Sequence, residues 1–298
     1  MSSTPKAKQL SLPQLQLLCR AAIDAAQEAG RWVEKFDRND LRRTFKDAGS
    51  SEASQLVTAV DYGSEDIIRR CLIDISESLN IAFVGEESSS KDADERFDKP
   101  YFWCVDPLDG TLSYVEGRSG YAVSIALLEQ SGKPVIGVVY DPSQNVLLHA
   151  INGQGSYRDL TPFCRTKQTS TSLTIYADAS FKTHAKYSSA VSTLQKCAKI
   201  LRLDGVTFVY GSGAVKNACQ TIESQHACYL KLPKEEQGGG SIWDYAATAC
   251  IAKEAGAWAS DVYGQPLPLN LRGSTYMNHQ GVIFTSTEQI ANYLIEAL

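Results

Sequence analysis

A chain of 298 residues, 43% hydrophobic and 21% charged, has the composition of a globular protein with a substantial core. A net charge of −5 with no Lys/Arg cluster argues against a nucleic-acid polymer as partner. Apolar runs as short as residues 125–128 cannot span a bilayer, so no membrane partner is expected.

In chain order, Ser11, Pro13 and Gln14 read as a helix start, with a Ser cap, an early Pro and Gln three residues on. Leu15, Leu18, Ala22, Ala25, Ala29 and Val33 then share one face, which predicts an amphipathic helix to about Phe36. Residues 37–54 are polar and read as a loop or hairpin. A short strand at Leu56 and Val57 ends at Asp61, and Ile67, Ile68, Cys71, Leu72, Ile75 and Leu79 mark a second helix. A strand at 81–84 leads into Gly85-Glu86-Glu87, and a polar loop leads on to an apolar run at 101–105. Strands at 121–128, 135–140 and 146–151 are joined by turn-forming segments, so an antiparallel meander is expected. Beyond about Leu160 the pattern changes. Strands at 173–177, 206–210 and about 227–232 alternate with helices at 183–199, through Thr221, and at 243–255. That alternation predicts an α/β half, residues 161–298, after an α+β half, residues 1–160.

Eight cysteines are scattered singly, without a C-x-x-C pair, and most sit in apolar surroundings. Reduced, buried thiols are the expectation, and zinc is not. Residues 1–9 are polar and lack the apolar core of a signal peptide, so a cytoplasmic protein is expected. The four histidines show no metal or triad spacing, and Gly211-Ser-Gly213 lacks the third glycine of a dinucleotide fingerprint.

Chemistry concentrates where apolar elements meet acids. Residues 101–105 run into Asp106-Pro-Leu-Asp109, and Gly110-Thr111 follows at once. Asp106 and Asp109 are hard oxygen donors suited to Mg²⁺, and amides near Gly110 and Thr111 could face a phosphate. The plainer alternative is an ordinary Pro-Asp-Gly turn. Three more acids fall at element ends: Asp61, Glu86 after the strand at 81–84, and Asp244 after a glycine-rich loop. For Asp61 or Asp244 alone, helix capping would suffice. For the set, convergence on Mg²⁺ is the better account.

Leu56-Val-Thr-Ala-Val-Asp61, Gly85-Glu-Glu87, Asp106-Pro-Leu-Asp-Gly-Thr111 and Trp243-Asp-Tyr-Ala-Ala247, with Glu254-Ala-Gly256, resemble the inositol monophosphatase superfamily in order and spacing. The resemblance implies a layered αβαβα sandwich of the inositol monophosphatase and sugar phosphatase type. It also implies a Mg²⁺-dependent, commonly lithium-sensitive phosphomonoesterase with two or three ions, acting as monomer or homodimer on a small phosphorylated metabolite. By matching positions, Glu86, Asp106, Asp109 and Asp244 would ligate metal with the backbone carbonyl of Leu108. Thr111 and Asp61 would orient and deprotonate the attacking water.

The substrate must be argued from departures. Leu112-Ser113-Tyr114 matches neither the Thr-Asn-Phe of inositol monophosphatases nor the lysine of many bisphosphate nucleotidases. Downstream, Gly211-Ser-Gly-Ala-Val-Lys216, which includes Ser212, and Tyr229-Leu-Lys-Leu-Pro233 are similar to nucleotidase segments. Lys216 and Lys231 would then meet a second phosphate, the alternative being two solvated lysines. The expected substrate is 3′-phosphoadenosine 5′-phosphate, cleaved to AMP and phosphate. The alternatives are an inositol or sugar phosphate and, outside the enzymes, an inactive metabolite-binding protein of the same fold.

Overall fold

Alternation along one central strand builds most of the molecule. The computed structural model describes residues 9–37, 44–45, 56–88, 94–165 and 170–298. Helix α1 (Leu12–Lys35) opens where Gln14 accepts the Ser11 N–H at 2.9 Å. Strands β1 (Thr44–Phe45) and β2 (Leu56–Val57) pair antiparallel, and the rest of the loop or hairpin expected at 37–54 lies outside the described residues beyond Asp37. Helix α2 (Ala59–Leu79) follows, and the Thr58 hydroxyl at its start accepts the Val60 N–H.

The first sheet holds β3 (Ile81–Gly85), β4 (Tyr101–Asp109), β5 (Ala122–Glu129), β6 (Pro134–Asp141), β7 (Val146–Ile151), β8 (Ser156–Arg158) and β9 (Thr161–Pro162), in that order. β3 and β4 are parallel and the remaining neighbours antiparallel. The short helix α3 (Thr111–Val115) leaves the end of β4. The second sheet runs β11 (Val206–Tyr210), β10 (Leu173–Ala177), β12 (Ala227–Lys231), β14 (Val282–Thr285), β13 (Trp258–Ser260). Helices α4 (Tyr187–Ile200), α5 (Ala214–Glu223), α6 (Ile242–Glu254) and α7 (Glu288–Ala297) complete the chain.

β4 is buried along its whole length because both faces are covered. Trp103 and Val105 pack with Val123 and Ile125 against α1 and α2. Phe102 and Cys104 face the other way, into a core shared by α5, α6 and the inner face of the second sheet through Tyr229 and Phe284. The outer face of that sheet, Ile175 and Leu230, packs on α4 and α7. The layers are therefore αβαβα. The α6 helix presses so closely on β6 that a Cβ on Gly137 would stand 2.3 Å from the Ala247 carbonyl oxygen.

Six cysteines are buried, Cys71 and Cys164 are exposed, and all eight are free. No helix among the described residues is long and apolar enough to cross a membrane.

Candidate active site

β4 does not end at Val105, as its apolar run suggests; it continues through Asp109 with a bulge. Asp106 pairs with Ser124 and Asp109 with Ala122, so one extra residue is accommodated between them. Two hydrogen bonds hold the bulge: Ser64 on α2 donates to the Pro107 carbonyl at 2.8 Å, and the Leu108 N–H donates to Asp106 Oδ1 at 3.1 Å. The result turns Asp106 and Asp109 toward one place.

Asp109 meets the start of α5. Its Oδ1 accepts the Ala214 N–H at 3.0 Å and its Oδ2 the Val215 N–H at 2.9 Å. Gly213 makes that approach possible, since a Cβ there would stand 2.2 Å from Asp109 Oδ2. Asp244 arrives on the first turn of α6, where its Oδ2 accepts the Ser241 N–H at 2.5 Å. Carboxylate oxygens of Asp106, Asp109 and Asp244 lie within 4.8 Å of one another. Two acids come from one bulged strand and the third from a helix, a set that no local structural rule would gather.

Glu86 stands outside that trio but near it. Its N–H donates to the Val105 carbonyl at 3.0 Å, and its charge raises the pKa of both Asp61 and Asp244. Thr111 opens α3, and its hydroxyl lies 2.9 Å from Asp61 Oδ1 and 3.0 Å from the Leu108 carbonyl oxygen. Asp61 Oδ2 meanwhile accepts from the Thr58 N–H and hydroxyl at 2.8 and 2.6 Å. Capping and contact with Thr111 are thus not alternatives: Asp61 does both, with different oxygens.

Gly110, with φ of +82°, packs against the Gly120 carbonyl and the Gly213 N–H, where a Cβ would clash at 2.7 Å. Ser212 lies beside Gly120 on the same rim. Lys231 closes β12 with its ammonium 3.0 Å from Asp178. Burial opposes its charge, but Asp178, Tyr245 and Asp244 hold its pKa above the ordinary lysine value. Lys216 is not the solvated lysine that the plainer alternative supposes: its ammonium is buried in an ion pair with Asp141 and donates to Gln144 Oε1 at 3.0 Å. Two residues at the site escaped the sequence analysis. Asp178 had no motif around it, and Glu65 could have been found from its place one helical turn after Asp61.

The acids are short of positive charge. Burial pushes the Asp61 carboxyl up to about 6, and Asp109 is raised well above the usual range by burial and by the charge of Asp244. Asp244 is raised by burial against the opposing pull of Lys231. Hard oxygen donors whose mutual repulsion Lys231 and the backbone N–H groups offset only in part fit a divalent cation such as Mg²⁺. A consequence is measurable. Each of these groups binds protons more tightly folded than unfolded, so its stabilising contribution is present below the unfolded pKa and lost as pH rises through the folded one. For Asp61, the rise from 3.8 to about 6 corresponds to about 3 kcal/mol, acting between about pH 4 and 6. In EDTA, thermal melts are expected to give a higher Tm at pH 5 than at pH 7.5, and saturating Mg²⁺ should shrink the gap. A Tm difference that Mg²⁺ leaves unchanged would detach it from this cluster.

The chain matches the inositol monophosphatase family over residues 14–298. It belongs to that family. An inositol monophosphatase from Mesembryanthemum crystallinum is 30% identical over 253 residues, covering 84% of this chain and 87% of that protein. The 3′(2′),5′-bisphosphate nucleotidase CysQ of Shigella flexneri is 26% identical over 234 residues, covering 76% and 85%. The crystal structure of the suhB protein from Bartonella henselae superposes with a TM-score of 0.71 at 21% identity, covering 94% and 98%. That likeness confirms the layered fold expected from the sequence.

Proposed function

We propose that this chain is a metal-dependent phosphomonoesterase of a small phosphorylated metabolite. The observation that carries the proposal is the meeting of Asp106, Asp109 and Asp244 beside the Thr111–Asp61 hydrogen bond. Glu86, Asp106, Asp109, Asp244 and the Leu108 carbonyl would hold two or three Mg²⁺ ions. Bound there, the ions would neutralise phosphate charge and lower the pKa of the attacking water. Thr111 Oγ1 would accept the proton of that water while passing its own to Asp61 Oδ1. A carboxylate whose pKa has risen to about 6 suits that task near neutral pH. Amides of Gly110 and Thr111 would receive the phosphate oxygens. Phosphate release that needs Mg²⁺ and stops in EDTA tests the class; full turnover in EDTA overturns it.

Within the class, we read the substrate as 3′-phosphoadenosine 5′-phosphate. The support is Lys231, a cation close enough to Asp244 for the two charges to act on each other, together with the nucleotidase-like segments at 211–216 and 229–233. Because Lys216 is held by Asp141 and Gln144, we assign the second phosphate to Lys231, with Ser212 beside Gly120. An inositol or sugar monophosphate is the second reading, favoured by the 30% identity to a protein named inositol monophosphatase. A charge-assisted contact to phosphate contributes about 1.5–3 kcal/mol, roughly ten- to a hundredfold in kcat/KM. Lys231→Ala is expected to lose that much on the bisphosphate and little on inositol monophosphate. Comparing two substrates cancels any shared damage from breaking the Asp178 ion pair, which leaves Asp178 with Asn217 and Tyr229. Equal losses, or a wild-type preference for inositol monophosphate, would select the second reading.

A further inference from the structure

Glu65 is a buried carboxylate with no role in the chemistry above. It follows Asp61 by four residues on α2, and Arg69 follows it by four more, so the three line one face of the helix. Each ties α2 to a different part of the site. Asp61 reaches Thr111 at 2.9 Å. Glu65 Oε2 accepts the Glu87 N–H at 2.8 Å, and its carboxylate also takes the Ser88 hydroxyl. Arg69 donates to Ser88 Oγ at 2.9 Å, with its guanidinium carbon 4.2 Å from the centre of the Phe83 ring on β3.

The turn from Gly85 to Ser88 is therefore held from two sides. On one, the Glu86 N–H is pinned to the Val105 carbonyl of β4. On the other, the two residues after Glu86 are pinned to α2. The fit leaves no slack, since a Cβ on Gly85 would stand 2.3 Å from Glu65 Oε2. Burying a carboxylate is costly unless its hydrogen bonds are made, and those of Glu65 go to the segment that carries Glu86.

We infer that Glu65 is a positioning residue, one that holds the Gly85-to-Ser88 turn so that Glu86 faces the Asp106–Asp109–Asp244 cluster and thereby sets the site's affinity for a divalent cation. The inference rests on Glu86 being a metal ligand, as proposed above. Asp61 and Glu65 then divide the work of one helix face: the first places the hydroxyl that handles the water's proton, the second places the acid that completes the cation site.

The test is Mn²⁺ affinity of the full chain by titration calorimetry, with thermal melts to confirm folding. Glu65→Leu removes both acceptors at similar volume and is expected to weaken Mn²⁺ binding about tenfold or more, as loss of a partner behind a ligand does. Glu65→Gln keeps one acceptor for the Glu87 amide and is expected to stay within about threefold of wild type. Ser88→Ala, at a half-buried position, is expected to weaken binding a few-fold and decides the matter where the Leu variant does not fold. Glu86→Gln tests the ligand role alone. If Glu86→Gln weakens Mn²⁺ binding while folded Glu65→Leu and Ser88→Ala bind as wild type does, Glu65 positions nothing. If Glu86→Gln binds Mn²⁺ normally, the ligand assignment falls and takes this inference with it.

Discussion

Asp106→Asn is expected to lower kcat/KM by at least about a hundredfold, the upper end of what losing even a partner behind a metal ligand costs. The substitution is nearly isosteric, and the side-chain oxygen can still accept the Leu108 N–H that shapes the bulge. What it removes is a charge, and it points an amide donor into a cluster of carboxylates. Asp106 is 1% exposed, so no solvent dilutes that change. Stability should move the other way. Without metal, three acids crowd within 4.8 Å, and neutralising one relieves their repulsion. In EDTA, the Asn variant should therefore melt at or above the wild-type temperature, while Mg²⁺ stabilises it less than it stabilises wild type. Phosphate release and melts with and without Mg²⁺ measure both. Near-normal turnover by the Asn variant would remove Asp106 from the metal site; a large fall of Tm in EDTA would assign it to the fold.

That contrast between chemistry and folding also marks what could be read from the sequence. The antiparallel meander was legible because its strands are joined by local turn segments, and β10 and β11 fell on the predicted residues. The acids were legible as acids at element ends, yet the bulge that aims Asp106 and Asp109 was not. It depends on Ser64, 43 residues before Pro107, and on Asp106 bonding two residues ahead. The partner of Lys216 was hidden for the same reason: its nucleotidase-like segment at the start of α5 is local, whereas Asp141, which pairs with it, comes from the far-off end of β6. For Asp61 and Asp244, capping and site chemistry looked like rival explanations. In three dimensions a carboxylate has two oxygens; one Asp61 oxygen caps α2 and the other meets Thr111. The strands β8, β9, β13 and β14 carry too little periodicity to stand out, two to four residues each, and tertiary pairing makes them. The last helix is different: Thr287 caps it and Ile290, Ala291 and Leu294 share its buried face, a pattern present in the sequence.

Thr111→Ala is expected to cut kcat by roughly a hundred- to ten-thousandfold, the range for removing a group that handles a proton in the transition state. KM should change little, because the hydroxyl is proposed to act on the water and not on the bound substrate. The geometry behind this is a single hydroxyl between two acceptors, Asp61 Oδ1 at 2.9 Å and the Leu108 carbonyl at 3.0 Å. It has one proton to give. Donating to Asp61 leaves its lone pairs for the water and the Leu108 carbonyl for a cation; donating to Leu108 spends the proton on the fold. The structural alternative is therefore concrete: Thr111 would merely tie the start of α3 to the bulge. Its loss would then cost about 1–3 kcal/mol of stability, as a buried acceptor left unpaired does, and leave turnover of the folded fraction intact. Thr111→Ser separates the two. Serine keeps the hydroxyl but lacks the methyl group, so it should restore most of kcat even where packing around the lost methyl lowers the Tm. Thr111→Val keeps the shape and the methyl groups without the hydroxyl, and should turn over as poorly as alanine. Recovery with valine and not with serine would show that shape, not proton transfer, is what Thr111 supplies.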